Sequence, residues 1–271
     1  MNFGLIIIGD EILSGKRVDK HLPKVIELLE ARGLSLAWAR YVGDDPQRIT
    51  ADLADALASG DAVFSCGGIG ATPDDHTRQC AAAALGVPLA LHPQARDLVV
   101  ERMQDTAREQ GRPFEPERDD NMHRLNMAVF PQGAEIIPNP YNKIAGFSVR
   151  SEQNAGGGVF FVPGFPVMAW PMIEWVLDTY FAHLHVARTT RERSVIVYGT
   201  MEATLTPLME AVEREFAGVK VFSLPSVDHP QWGRHIELGV KGDEAALAPA
   251  YARLKDGLAL HDARLGPELV R

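Results

Sequence analysis

A glycine-rich stretch that also carries acidic side chains has the residue types best suited to chemistry. It reads Cys66-Gly67-Gly68-Ile69-Gly70-Ala71-Thr72-Pro73-Asp74-Asp75-His76-Thr77. Glycines let a backbone approach a ligand closely, and the free N–H groups at the start of a helix favour a phosphate. Carboxylates repel a phosphate unless a divalent cation lies between them, because such a cation takes oxygen ligands from both protein and substrate. The stretch therefore predicts a phosphate site that uses Mg²⁺ or another divalent metal.

The same stretch also has a purely structural interpretation. Thr72, Pro73 and Asp75 fit the N-cap, N1 and N3 positions of a helix, so Thr72 and Asp75 could form a capping box. A capping box needs neither the three glycines nor the additional Asp74. The spacing matches neither a P-loop nor a dinucleotide-binding fingerprint. At the level of single residues, both interpretations stay open.

The elements that must position this stretch predict a parallel sheet. Strands are expected at Phe3–Ile8, Leu36–Val42 and Asp61–Ser65, because these runs are short and mostly apolar. Each is followed by a loop and a helix, and ligands of open α/β sheets bind beyond the carboxyl ends of the strands. The loops there carry Asp10, Glu11, Asp44, Asp74 and Asp75. We therefore expect these carboxylates to share one rim of the sheet.

Helices are predicted from apolar side chains at helical spacing. The first follows the cap Asp19 and ends at Gly33, the second begins with Asp45 as N-cap and Pro46 at N1, and the third spans Pro73–Leu85. Two further helices are expected, at Pro93–Gln110 and around Ile173–Leu184. A polar loop is expected at Gly111–Asn121 and a polar break at Thr189–Glu192.

After the break, the pattern predicts a small βαββα module. Its predicted elements are Ser194–Tyr198, Met201–Phe216, Val219–Phe222, His235–Val240 and Asp243–Leu258. His229, His235 and His261 are scattered in this part of the chain without the spacing of metal ligands.

Composition limits the classes of function. With 271 residues, of which 46% are apolar, the chain can form one or two globular domains. A net charge of -9 argues against a general nucleic-acid binder and against an anionic membrane surface. Two cysteines, Cys66 and Cys80, give no disulfide pattern, and no apolar run is long enough to span a bilayer. Since the N-terminus also lacks the pattern of a signal peptide, the expected location is the cytoplasm.

The motifs together resemble a known family. The segments are Gly9-Asp10-Glu11-Ile12-Leu13-Ser14-Gly15, then Asp19, then Val42-Gly43-Asp44-Asp45, then Gly67 to Thr77. They are similar to the molybdopterin-binding (MoaB/Mog-like) domain, in the form found in CinA, the competence/damage-inducible protein. Specific motifs cover residues 3–90 and a looser likeness reaches residue 185. Longer CinA proteins continue into a deamidase domain, which these residues do not resemble, so that activity is not expected.

The resemblance implies a fold, a domain division and roles for residues. It implies a three-layer α/β/α domain with a mostly parallel sheet at residues 1–187, and a small KH-like α+β domain at 188–271. Asp44 and Asp75 match the two functional aspartates of the family and are expected to act in catalysis and to bind the metal. The ligand and its phosphate are expected at the following residues: Gly9, Asp10, Glu11, Ser14, Gly67, Gly68, Gly70, Thr72 and Asp74.

The chain also departs from the CinA pattern. CinA-type chains usually carry Gly-Thr-Ala-Pro where this one has Asn142-Lys143-Ile144-Ala145, and a glutamate after the Pro-Gly-x-Pro turn where this one has Met168. Asparagine is usual where His21 stands. If those positions support hydrolysis, this chain could have kept binding and lost the reaction.

Three hypotheses follow for the function. The first is an enzyme, a Mg²⁺-dependent pyrophosphatase that hydrolyses ADP-ribose or a similar nucleotide. The second is a module that binds molybdopterin or a nucleotide without hydrolysis, and the third is a repurposed scaffold. The expected partner is a small phosphorylated ligand rather than nucleic acid or membrane, because the KH-like part lacks a Gly-x-x-Gly clamp and a basic cluster. Relatives imply a homo-oligomer, either a dimer or a trimer.

Overall fold

The chain forms two units in a computed structural model that describes residues 1–150, 157–186, 190–261 and 263–271. Unit 1 is Met1–His185 and unit 2 is Val186–Arg271. Among the described residues, no helix has both the length and the apolar character needed to cross a bilayer.

Unit 1 begins with alternating strands and helices. Its elements are β1 (Phe3–Ile8), α1 (Asp10–Leu13), α2 (His21–Glu30), β2 (Leu36–Val42), α3 (Pro46–Ser59), β3 (Ala62–Cys66), α4 (Thr77–Leu85), β4 (Leu89–Leu91), α5 (Pro93–Glu109), α6 (Asp119–Arg124), β5 (Val129–Pro131), β6 (Glu135–Ile137), β7 (Gly146–Arg150), β8 (Gly158–Val162) and α7 (Pro166–Tyr180). Short 3₁₀ turns lie at Leu125–Ala128 and Ala182–Leu184.

The main sheet of unit 1 has six strands in the order β2-β1-β3-β8-β7-β6. The first four are parallel, whereas β7 and β6 run antiparallel to their neighbours. The sheet is thus mixed and mostly parallel, as expected. β1, β3 and β8 are buried on both faces, which explains their mostly apolar sequence. Two-stranded pairing of β4 with β5 forms a separate small sheet.

Helices cover both faces of the sheet and complete three layers. One core joins the sheet to α3, α4 and α5 through residues such as Leu53, Ala81 and Val99. The other core joins the opposite face to α2 and α7 through residues such as Val25 and Ile173. This arrangement leaves the carboxyl ends of β1, β2, β3 and β8 as one edge at which their loops begin.

The sequence predictions for elements hold with shifts at their ends. The predicted strands match β1, β2 and β3, and Asp45 caps α3 by accepting a hydrogen bond from the Arg48 N–H at 2.9 Å. The predicted helix at Pro73–Leu85 was wrong at its start, because α4 begins only at Thr77. The expected loop 111–121 already enters α6 at Asp119.

Unit 2 is an antiparallel sheet packed on two helices. Its elements are β9 (Thr190–Tyr198), α8 (Glu202–Glu215), β10 (Lys220–His229), β11 (Gly233–Asp243), α9 (Glu244–Ala259) and β12 (Arg264–Val270), with the strand order β10-β11-β9-β12. Its core includes Val195, Leu208, Leu238 and Leu254. β12 was not predicted from the sequence. Part of the expected polar break at Thr189–Glu192 belongs to β9, and Thr189 lies outside the described residues.

Two of the histidines expected to be scattered lie together in unit 2. The rings of His229 and His235 have their centroids 5.3 Å apart, and the Trp232 ring stacks on His229 at 4.5 Å. The β10–β11 hairpin brings them together, since Ser226 pairs with His235 and His229 with Gly233. Within the described ranges, no group of three or more His, Cys, Asp or Glu side chains is arranged to hold a metal.

Candidate functional site

The glycine-rich loop between β3 and α4 is shaped by backbone positions that only glycine fits. Gly67 and Gly68 have φ of 109° and 67°, in the region that side chains rarely adopt. A Cβ on Gly67 would lie 2.4 Å from the Ile8 carbonyl oxygen, and one on Gly68 would lie 2.1 Å from Thr77 Oγ1. Thr77, fully buried, donates from Oγ1 to the Gly67 carbonyl at 3.1 Å and from N to the Gly68 carbonyl at 3.0 Å. The start of α4 thus holds the loop against the end of β1.

The acidic half of the loop closes on itself. Asp75 Oδ2 accepts hydrogen bonds from Thr72 N at 2.8 Å and from Thr72 Oγ1 at 2.5 Å. Only one bond of a capping box is formed, because the Asp75 N–H donates to the Thr72 carbonyl at 3.1 Å and not to Thr72 Oγ1. The pair closes a turn ahead of the helix, which begins at Thr77. The structural interpretation was therefore right that Thr72 and Asp75 pair and wrong about the full capping box and the helix start. A Cβ on Gly70 would lie 2.5 Å from Asp75 Oδ2, so this glycine leaves room for the carboxylate.

A second acidic group lies where β1 and β2 end side by side. The Asp10 N–H donates to Asp44 Oδ2 at 3.0 Å and the Asp44 N–H donates to Asp10 Oδ1 at 3.2 Å. Burial raises the pKa of Asp44, and the charges of Asp10, Glu11 and Asp74 raise it further against the opposing effect of the Asp10 hydrogen bond. The Asp44 carboxylate therefore lies in a negative field that a cation would relieve.

The two acidic groups and the glycine loop open on one cavity of about 850 Å³. Most of the residues predicted from sequence line it: Gly9, Glu11, Asp44, Gly67, Gly68, Gly70, Thr72, Asp74 and Asp75. Asp10 and Ser14 do not line it. Asp10 exchanges two hydrogen bonds with Asp44, whereas Ser14 is an exposed residue whose N–H caps α1. The volume lies within the range typical of small-molecule sites.

Several residues at or next to the cavity were not predicted from the sequence. Arg78 is 5% exposed and donates to the carbonyl oxygens of Gly70, at 2.6 Å, and Asn126. Its guanidinium thus joins the glycine loop to the segment that carries Met127. Burial lowers the pKa of Arg78, and the Asp75 charge partly offsets this. Arg78 supports the loop without lining the cavity. The unpredicted residues that do line it include four cations and an apolar group: Lys16, Arg17, Arg102, Arg124, Val99, Met103, Met127, Ile144, Phe165 and Met168.

For the lining residues on α5, the sequence contains a pattern that could have been used for prediction. Val99, Arg102, Met103 and Thr106 lie on one face of α5 at helical spacing, so the pattern alone could have found their common direction. Nothing in the sequence shows that this face of α5 points to the glycine loop, because the direction of α5 depends on how it packs after α4 and β4.

The positions that depart from the CinA pattern meet at the same wall. The Asn142 side-chain amide lies 3.2 Å from Met168 Sδ, and both residues line the cavity. His21 is buried at the start of α2, and its Nε2 lies 3.0 Å from the carbonyl oxygen of Gly164, another lining residue. Since a carbonyl only accepts, Nε2 carries the proton, and the buried Nδ1 has no hydrogen-bond partner among the residues that the structure describes.

Two carboxylates of the cavity wall, Asp44 and Asp75, are the candidate ligands for a cation. In the described ranges, no three or more His, Cys, Asp or Glu side chains are arranged so that they could hold a metal by themselves. Mg²⁺ commonly binds one or two carboxylates and takes its other oxygens from phosphates and water. Asp44 and Asp75, which both line the cavity, could supply those carboxylates.

Residues 4–183 match a protein family that is described as a probable molybdopterin binding domain. A CinA-like protein of Anaeromyxobacter dehalogenans (strain 2CP-C) is 36% identical over 185 residues, 68% of this chain and 42% of that protein. A CinA-like protein of Geobacter metallireducens is 31% identical over the whole chain, which covers 61% of that protein. The chain thus spans less than two thirds of either relative.

A solved structure gives the same result for the fold. The crystal structure of the protein CinA, of unknown function, from Thermoplasma acidophilum superposes with a TM-score of 0.55 at 25% sequence identity. The match covers 66% of this chain and 98% of that one.

Proposed function

This chain belongs to the probable molybdopterin binding domain family, and on that premise we propose that its cavity binds a phosphorylated pterin or nucleotide. The observation that carries the proposal is the loop from Gly67 to Gly70, which lines the cavity. A side chain at Gly67 or Gly68 would clash with its neighbours and prevent this loop conformation. A backbone without side chains lets phosphate oxygens reach main-chain N–H groups. The family match supports a pterin, and the cavity volume of about 850 Å³ leaves room for a ring system beside the phosphates.

The acidic residues support a reaction as well as binding. Asp44 lies among carboxylates that raise its pKa, and Thr72 holds one oxygen of the Asp75 carboxylate at the cavity wall. When bound, a divalent cation would neutralise charge on a diphosphate and activate water. Asp44 and Asp75 would hold it, while the glycine loop would orient the diphosphate and Arg78, through its bond to the Gly70 carbonyl, would keep that loop in place. We therefore include a metal-dependent pyrophosphatase acting on ADP-ribose or a similar nucleotide in the proposal.

The second candidate is a binding module without hydrolysis. It is favoured by Met168 and Asn142, because a thioether and an amide cannot act as a general base at the cavity wall. A repurposed scaffold is the third candidate, in which the cavity binds neither class of ligand.

An assay for AMP release separates the candidates. The wild-type chain is incubated with ADP-ribose and Mg²⁺ or Mn²⁺, and compared with Asp75→Asn and with Asp97→Asn, which removes the same charge from an exposed position on α5 that does not line the cavity. The enzyme hypothesis expects metal-dependent release of AMP that falls at least about 100-fold in Asp75→Asn and is retained in Asp97→Asn. An amide at position 75 can still accept from Thr72, so the fold should be kept.

The other outcomes are equally informative. Saturable binding of ADP-ribose or a pterin diphosphate without turnover supports the binding module. Turnover that is equal in Asp75→Asn and the wild type would refute the role given to Asp75, and the absence of both binding and turnover would leave the scaffold.

A further inference from the structure

A large apolar side chain is exposed at the cavity. Phe165 lies in the turn between β8 and α7, lines the cavity, and is 56% exposed. In the described part of the chain, its ring makes no contact with another aromatic ring or with a cation. Exposure of a phenyl ring to water is unfavourable, and an exposed aromatic ring at a concave site commonly provides contact area for a ligand. The Phe165 ring is therefore available for contact with a ligand in the cavity.

The turn that presents Phe165 is held on both sides. The Phe165 carbonyl accepts from Met168 N at 3.0 Å and from Ala169 N at 2.9 Å, which starts α7. The preceding Gly164 carbonyl accepts from His21 Nε2 at 3.0 Å, and His21 is only 4% exposed. A backbone fixed by two elements can present an aromatic side chain at little entropic cost on binding. The ring thus belongs to a preformed wall.

The same wall continues with soft and apolar atoms. Met168 lies one turn along α7, and its sulfur accepts from the Asn142 amide at 3.2 Å. Asn142 Oδ1 accepts from Ile144 N at 3.1 Å and from Asn139 Nδ2 at 2.8 Å, so the amide is oriented. Phe165, Met168 and Ile144 all line the cavity. A phenyl ring and a thioether are suited to the face and edge of a flat aromatic ring.

We propose that Phe165, Met168 and Ile144 form the subsite for a flat heteroaromatic ring, with the Asn142 amide at its edge. Thioether sulfur is a weak acceptor, and the Asn142 NH₂ group has a second hydrogen, so the amide can also donate to a ring nitrogen. The ligand class is then a diphosphate that carries a purine or a pterin, rather than a sugar or alkyl diphosphate. This inference rests on the proposed function, because the glycine loop must hold the diphosphate while the ring lies on Phe165.

Calorimetry with three ligands tests the subsite. Inorganic pyrophosphate, ADP and a pterin diphosphate are titrated with Mg²⁺ into the full chain as wild type, Phe165→Ala and Phe165→Trp. Val167→Ala is the matched control, because Val167 is the second residue of α7, is 51% exposed and does not line the cavity. Circular dichroism verifies that each variant is folded.

The expected affinities distinguish the contribution of the ligand's ring from that of its diphosphate. In the wild type, either ADP or the pterin diphosphate binds more tightly than pyrophosphate. The tighter of the two shows whether the subsite accepts a purine or a pterin. Phe165→Ala weakens that ligand about tenfold, as expected for the loss of one ring stack, and leaves the pyrophosphate Kd within about twofold. Phe165→Trp keeps the affinity, because indole also stacks, and Val167→Ala behaves as wild type.

Two results would overturn the subsite. One is a Phe165→Ala variant that binds the ring-bearing ligands as tightly as the wild type, or that loses pyrophosphate to the same degree. The other is a wild type in which ADP and the pterin diphosphate bind no more tightly than pyrophosphate. Failure of the proposed function looks different, since pyrophosphate itself would then not bind to the wild type.

Discussion

Asp44 shows how single residues of the site are placed for charge rather than for stability. Its carboxylate is partly buried among other carboxylates, and burial, followed by the charges of Asp10, Glu11 and Asp74, raises its pKa above the ordinary value of 3.8. A carboxyl group whose pKa is higher in the folded protein stabilises the fold when protonated. That contribution is lost as the pH rises through the folded-state pKa. At neutral pH without metal, the charged form of Asp44 is therefore a cost to stability.

The Asp44→Asn variant should reveal this cost. We expect its Tm at pH 7 in metal-free buffer to exceed that of the wild type by about 2 °C, because the amide carries no charge and can still accept from Asp10 N. The difference should shrink as the pH falls below the ordinary aspartate value of 3.8, where the wild-type carboxyl is protonated too. Thermal denaturation over pH measures it, with Asp97→Asn as a control for loss of one negative charge. A lower Tm for Asp44→Asn at pH 7 would contradict the account.

Residues such as Arg78 mark the limit of prediction from sequence at this scale. The pattern of glycines and aspartates indicated a phosphate site, but an arginine in a helix is ordinarily a surface residue. Only the fold shows that Arg78 is buried with the Gly70 and Asn126 carbonyls as its partners. The same holds for Asn142 and Met168, which are 26 residues apart and in contact. Side-chain contacts between distant segments depend on packing that periodicity does not encode.

At the scale of elements, the segment between β6 and β7 is positioned by one strained residue. Lys143 has φ of 68°, the one positive φ of a non-glycine residue in the described ranges. Its ammonium binds Glu101 at 2.5 Å and Asp105 at 2.7 Å, both on α5. The ion pairs hold the segment of Asn142 and Ile144 next to the helix that lines the cavity. The strain is kept because these contacts and the bonds of Asn139 fix the turn.

Two substitutions at this position separate strain from ion pairing. Lys143→Ala loses the ion pairs and keeps the left-handed backbone, whereas Lys143→Gly loses the ion pairs and relieves the strain. We expect the Ala variant to melt about 3 °C below the Gly variant. Differential scanning calorimetry of both beside the wild type gives the comparison, and equal Tm values would show that the turn carries no strain.

Most elements were predictable because the strands of unit 1 are buried on both faces and the helices have clear caps. Asp45 with Pro46 marked the start of α3 correctly, since the cap chemistry is local. The start of α4 was missed because the return of Thr77 to Gly67 and Gly68 delays the helix, which is a tertiary effect. β12 was missed because most of its residues are exposed and Pro267 interrupts its pattern, as tolerated on an edge strand.

At the scale of the whole molecule, unit 1 has the fold of the family to which the chain belongs. The expected resemblance to the molybdopterin-binding family and to CinA-type proteins is confirmed, as is the α/β fold with a mostly parallel sheet and an added antiparallel sheet. The division at residues 187 and 188, the KH-like character of unit 2 and the dimer or trimer stay predictions. So do the roles of the site residues, because burial and contacts locate side chains without identifying a ligand.

The phosphate site at the glycine loop can be tested by calorimetry of inorganic pyrophosphate with Mg²⁺ and the intact chain. We expect saturable binding by the wild type and about tenfold weaker binding by Arg78→Met, which removes the buried positive charge that is bonded to the Gly70 carbonyl. Arg112→Met, in which the same charge is lost from an exposed position, should bind like the wild type. A wild type that shows no saturable binding of pyrophosphate, or an Arg78→Met variant with unchanged affinity, would contradict this expectation.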